Sequence, residues 1–116
     1  MNKRADDPSG LATTEYKTEE EWVLEAGSHI SVTLIADTTA QSMVPRNFNP
    51  ITLKVETMTL VQSLKEQLCA KVKQASLTPD LLSIQLLTGG TLLNDAMSLA
   101  WYNITDQEQL IFTAKR

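Results

Sequence analysis

Cys69 and His29 are the sole thiol and the sole imidazole in a chain of 116 residues, so any cysteine-histidine chemistry must come from that pair. A thiolate nucleophile needs a neighbouring base to take its proton, and histidine usually serves. Cys69 directly follows Leu68 in a stretch whose apolar residues recur at helical spacing, at the margin of the face those residues define. A half-buried structural thiol suits that position better than a nucleophile. His29 opens an alternating stretch with no carboxylate or second histidine in a motif around it. One Cys and one His also fall short of a zinc ligand set. The run Thr88-Gly89-Gly90 lacks the lysine and the strand-to-helix setting of a phosphate-cradling loop, and reads as a turn. These residue types predict no catalytic residue, no metal, no cofactor and no small-molecule substrate.

The composition, 42% hydrophobic and 21% charged, is that of an ordinary globular domain, and the length supports one core. The net charge of −4 is uneven: residues 1–28 hold seven acids against three bases, whereas the remainder balances at seven each. A balanced domain has no net field to hold nucleic acid, which leaves only a local patch for that purpose. No apolar run approaches the ~18 residues of a membrane span, so no membrane partner is expected. The opening "MNKRADDPSG" has no apolar core of a secretory leader. A single cysteine makes no internal disulfide, which fits a reducing compartment.

What would position the side chains follows from periodicity. Residues 1–20 are polar and acidic without an apolar period, and are expected to be a disordered tail. Residues 21–28 lead in, as a turn of helix or an extended approach with Trp22 as anchor, ending at Gly27. "HISVTLIAD" and "ITLKVET" both alternate with period two, which predicts paired strands joined by an enlarged loop over 37–49. The composition of that loop favours disorder. Val61, Leu64, Leu68 and Val72 then lie on one side of a helix, with Thr57 or Thr59 offering a hydroxyl cap and Lys71 and Lys73 near its end. Pro79 ends helical geometry at Thr78. "LLSIQLL" reads as a strand, "TLL" as a brief one, "SLAWYNI" as a single helical turn and "QLIFTAK" as the closing strand. A lone helix covering one face of a sheet defines an α+β domain.

This order resembles the β-grasp fold of ubiquitin, a mixed sheet of four to five strands packed by one helix. The likeness covers residues 29–116 apart from the enlarged first hairpin, and with the lead-in it implies a domain over 21–116. "ITLKVE", the spacing from Val55 to Val61, "TPD" and "YNI" carry the resemblance. Within that superfamily, "EEEWVLEAGS", "VQSLKEQL" and "LLNDAMSLAWYN" are similar to the ubiquitin-like domain of the large subunit of splicing factor 3a. That family has a Ser-Leu-Ala-Tyr-Tyr-Asn motif where this chain has Ser98, Leu99, Ala100, Trp101, Tyr102 and Asn103.

The resemblance implies a core that contains Leu99 and Ile104 as well as Val61, Leu64 and Leu68. Tyr102 would lie over the turn with its hydroxyl on backbone, Asn103 would take a left-handed conformation, and Trp101 would point outward for a contact or, alternatively, pack partly against the domain's own surface. It also implies a monomeric, non-catalytic domain in the nucleus, bridging to U1 small nuclear RNA or a splicing protein of the U2 particle. Trp101, Lys54, Lys65 and the terminal Lys115 and Arg116 are the expected contacts. A conjugated modifier would need a Gly-Gly tail, whereas this sequence closes with "TAKR". Mimicry of ubiquitin itself is also disfavoured, because Gln85 and Thr113 fall where ubiquitin's apolar patch would be. A docking module of another pathway is the alternative.

Overall fold

The computed structural model describes residues 17–73, 77–87 and 90–114. Most of the expected tail (residues 1–16) and the terminal Lys115 and Arg116 lie outside them. Strand β1 (His29–Ala36) pairs antiparallel with β2 (Ile51–Glu56), through partners that run from His29–Glu56 to Leu34–Ile51. Strand β3 (Leu82–Leu86) pairs antiparallel with β4 (Glu108–Ala114). The halves join where β1 and β4 run parallel, which gives a mixed sheet of order β2-β1-β4-β3.

One face of the sheet is dry. Ile30, Val32 and Leu34 of β1, Leu53 and Val55 of β2, Leu82, Ile84 and Leu86 of β3, and Leu110 and Phe112 of β4 share a core with Val61, Leu64, Leu68 and Val72. Those last four belong to helix α2 (Val61–Val72). Each fully buried aliphatic side chain here stabilises the fold by about 1.5–3 kcal/mol before entropy is set against it.

The α2 N-terminus differs from the sequence expectation. Its cap position is Leu60, with no side-chain hydrogen bond. The first helical N–H groups are instead satisfied by backbone: Val61 donates to the Met97 carbonyl (2.9 Å) and Gln62 to that of Asp95 (3.1 Å). Thr57 is buried and donates its hydroxyl to the Gly27 carbonyl.

Helix α1 (Glu19–Ala26) starts inside the expected tail. The local reason is a capping box: Thr18 Oγ1 accepts the Glu21 N–H, and the Glu21 carboxylate accepts the Thr18 N–H. Glu19, Glu20 and Glu21 in the first turn suit the positive helix end, and Gly27 closes the helix at φ +94°.

The loop over 37–49 is built rather than disordered. Ala40 and Val44 are buried, Met43 and Phe48 pack against the core, and short 3-10 turns run over Gln41–Met43 and Arg46–Phe48. Asn49 Oδ1 accepts the Ala36 N–H at 3.0 Å and Thr39 Oγ1 accepts the Ala114 N–H at 2.9 Å. These bonds tie the loop to the ends of β1 and β4. After β3, Leu92 bridges back to Gln85, and Gly90 has a φ of +66°.

Candidate interaction surface

The Ser98–Ile104 segment is held from both sides. Leu99, Ala100, Tyr102 and Ile104 are buried, and Tyr102 Oη accepts the Asn94 N–H at 2.8 Å. Asn103 sits at φ +52°, where its short amide is tolerated, and its Nδ2 donates to the Ala100 carbonyl at 2.8 Å. From outside, α1 fastens onto the same segment. Ser98 Oγ donates to the Glu19 carboxylate, Trp22 Nε1 donates to the Ile104 carbonyl (2.9 Å), and Asn103 bonds both the N–H and the carbonyl of Lys17. Of its two expected placements, Trp101 takes the packed one rather than the fully outward one. It is half-buried, packed against the core with its indole nitrogen out of solvent.

The capping box also sets a pH dependence. The backbone N–H of Thr18 holds the Glu21 carboxyl below its ordinary range, and the Glu25 carboxylate raises the Lys17 ammonium above its own. A depressed carboxyl stabilises the helix above its unfolded value and loses that contribution as pH falls through the lower folded value. Amide spectra are expected to show α1 loosening on acidification below the usual carboxylate range, and Glu21→Gln is expected to remove that part of the transition.

Lys65 leaves the surface altogether. Val61, Leu64, Lys65, Leu68 and Val72 are the buried residues of α2, so position 65 widens the apolar stripe that Val61 begins. Its side chain is 1% exposed, and Nζ donates to Asp95 Oδ2 (2.7 Å) and to the Leu82 carbonyl (3.1 Å). Lysine here bridges α2, β3 and the loop before Ser98, and it is unavailable as a contact for RNA. Lys54 is exposed on the outward side of edge strand β2, with Glu56 two residues on along the same side. Lys71 and Lys73 lie at the end of α2, in the other layer. The described lysines thus do not converge on one stripe.

Chemistry-bearing side chains are dispersed too. Cys69 is half-buried, and burial pushes its thiol up, away from the reactive thiolate. His29 Nδ1 lies 3.0 Å from Ser28 Oγ on an exposed stretch. Among the described residues, no three His, Cys, Asp or Glu side chains gather as metal ligands, and no helix is long and apolar enough to cross a membrane.

The open face of the sheet offers a more coherent feature, missed in the sequence. Ile35 of β1 and Ile111 of β4 are direct cross-strand partners, both half-buried on the side away from α2. Gln85 is the partner of Ile111 on β3, and Leu92 is bridged to Gln85 beyond it. Leu92 and Leu87 are both largely exposed. The row across the sheet is therefore apolar at its centre and outer edge with one amide between. Thr113 and Ser83 form the next pair along β4 and β3.

Comparison with solved structures decides the architecture. The chain superposes on the ubiquitin-like domain of an Arabidopsis thaliana protein with a TM-score of 0.59 at 20% identity, covering 78% of this chain and 82% of that one. A protein designed de novo on the basis of ubiquitin superposes with a TM-score of 0.56 at 17% identity, covering 76% of this chain and 90% of the design. The fold is ubiquitin-like. No protein-family model and no curated protein sequence matches the chain. In this ubiquitin-like β-grasp, the loop over 37–49 joins the first two strands, and the Ser98–Ile104 turn precedes the last.

Proposed function

We propose that this ubiquitin-like domain is a non-catalytic docking module, acting as a monomer, that binds a protein partner through the open sheet face centred on Ile35 and Ile111. The observation that carries this reading is the pair itself. Two β-branched side chains sit as neighbours on a solvated face, flanked by Gln85 and the exposed Leu92. A cluster of apolar side chains rimmed by polar groups suits the core-and-rim pattern of a protein interface.

The setting we propose is the nuclear pre-mRNA splicing machinery, on the likeness of Ser98–Asn103 and the "EEEWVLEAGS" lead-in to the splicing factor 3a large subunit. Of the partners that setting offers, a splicing protein suits the surface better than U1 small nuclear RNA. Burial of Lys65 and the separation of Lys54 from Lys71 and Lys73 leave no stripe of cations to follow a phosphate backbone among the described residues.

Ile111→Asp tests the surface, because position 111 is half-exposed and the substitution leaves the core side of β4 intact. A splicing protein captured from nuclear extract by the native domain is expected to bind the variant at least tenfold more weakly. Equal capture by both would reject the open face. An electrophoretic shift with a U1 stem-loop at low and at physiological salt checks the RNA partner, and a salt-dependent shift would transfer the assignment to RNA.

A further inference from the structure

The enlarged β1–β2 loop shapes an open cleft of about 610 Å³ lined by Thr38, Gln41, Ser42, Val44, Arg46 and Asn49, of which Thr38, Gln41, Ser42 and Arg46 are exposed. Arg46 is the only charged group in that lining. No carboxylate among the described residues pairs with it. The nearest acid in sequence, Asp37, is engaged within its own turn, where Oδ1 accepts both the N–H and the hydroxyl of Thr39. The loop that shapes the cleft is anchored: Ala40 and Val44 are buried beneath it, and Asn49 is bonded to the end of β1. An insertion held in this way presents a fixed, solvent-facing concave surface, in place of the disordered loop that its composition favours.

We propose that this cleft is a binding site for an organic oxyanion, a phosphate monoester or a carboxylate carried on a larger group. The guanidinium of Arg46 is its anchor. A guanidinium offers a planar fork of donors that matches either anion, and hydroxyls and carboxamides supply further donors without adding repulsive charge. Thr38 and Ser42 supply the hydroxyls and Gln41 a carboxamide. The open cleft has room for more than a bare ion, and Val44 gives an apolar wall against which organic structure attached to the anion can rest. This site is separate from the open-face reading, and either can fail alone.

The test is an amide-shift titration of the isotope-labelled full chain with inorganic phosphate and, separately, with acetate, at ionic strength held constant with chloride. Saturable shifts are expected at Thr38, Gln41, Ser42 and Arg46. In Arg46→Gln binding is expected to weaken at least tenfold, with the sheet amides unmoved, and Arg46→Lys is expected to recover only part of it. Ser42→Ala gives a second, milder loss that does not depend on the arginine. A response to phosphate alone assigns a phosphate monoester, to acetate alone a carboxylate, and to both the oxyanion class as a whole. Shifts that persist in Arg46→Gln, or that appear equally around Lys71 and Lys73, would overturn the site. Ile111→Asp is expected to leave the titration unchanged, which separates this result from failure of the open face.

Discussion

Asp95→Ala is expected to lower the stability of the domain by about 3–5 kcal/mol, the cost of leaving a buried charge without its partner. The asymmetry of the pair sets the direction of the effect. Lys65 is 1% exposed whereas Asp95 is 43% exposed. Removing the carboxylate therefore strands an ammonium in the core with only the Leu82 carbonyl to receive it. Removing the lysine instead leaves an acid that already reaches water, so Lys65→Met is expected to cost only about 1–2 kcal/mol. The double substitution takes both charges away, and a well-packed apolar replacement of a buried pair is often near neutral. It is therefore expected to recover most of what Asp95→Ala loses. Thermal unfolding reads the result, since a loss of 3 kcal/mol in a domain of this size lowers the midpoint by roughly 12–24 °C. A midpoint for Asp95→Ala within a few degrees of the native one would show that water reaches the Lys65 ammonium once the carboxylate is gone.

Tyr102→Ala is expected to cost about 3–5 kcal/mol, as for other buried aromatics truncated to alanine. Tyr102 is among the largest fully buried side chains, and its hydroxyl also receives the Asn94 N–H. Tyr102→Phe separates the two contributions. It keeps the ring and removes the acceptor, with an expected loss of about 1–2 kcal/mol. Denaturant midpoints at unchanged slope provide the measurement. If Tyr102→Phe were as damaging as Tyr102→Ala, the hydrogen bond and not the ring would hold the turn.

Elements whose stabilising contacts repeat along the chain were legible in the sequence. Alternation marks β1 and β2, and the 61, 64, 68, 72 spacing marks α2, because burying one side of a strand or helix imposes a period. Lys65 breaks the same rule. It stands four residues after Val61 on the buried face, yet a binary reading of apolar and polar residues assigns any lysine to water. The partner that makes its burial tolerable, Asp95, is far along the chain. The loop over 37–49 escapes for a related reason: Ala40, Met43, Val44 and Phe48 anchor it at no regular spacing, so a polar average conceals a packed segment. The seat of α1 on Ser98, Asn103 and Ile104 joins segments some eighty residues apart by hydrogen bonds. The residues on both sides of that contact are conspicuous in the sequence, but nothing local marks their meeting. The open-face isoleucines were hidden in another way, since Ile35 and Ile111 become neighbours only through the parallel register of β1 and β4.

That parallel register bears on how the domain is made. Its two inner strands come from nearly opposite ends of the described chain, so β1 cannot acquire its second neighbour until the ribosome has delivered Glu108–Ala114. A nascent chain stalled before that point exposes one flank of β1 and the unfilled space of Leu110 and Phe112, which makes it a ready substrate for chaperones and proteases. An interrupted copy therefore differs from one that carries β4 by an unpaired flank of β1 and an unfilled core.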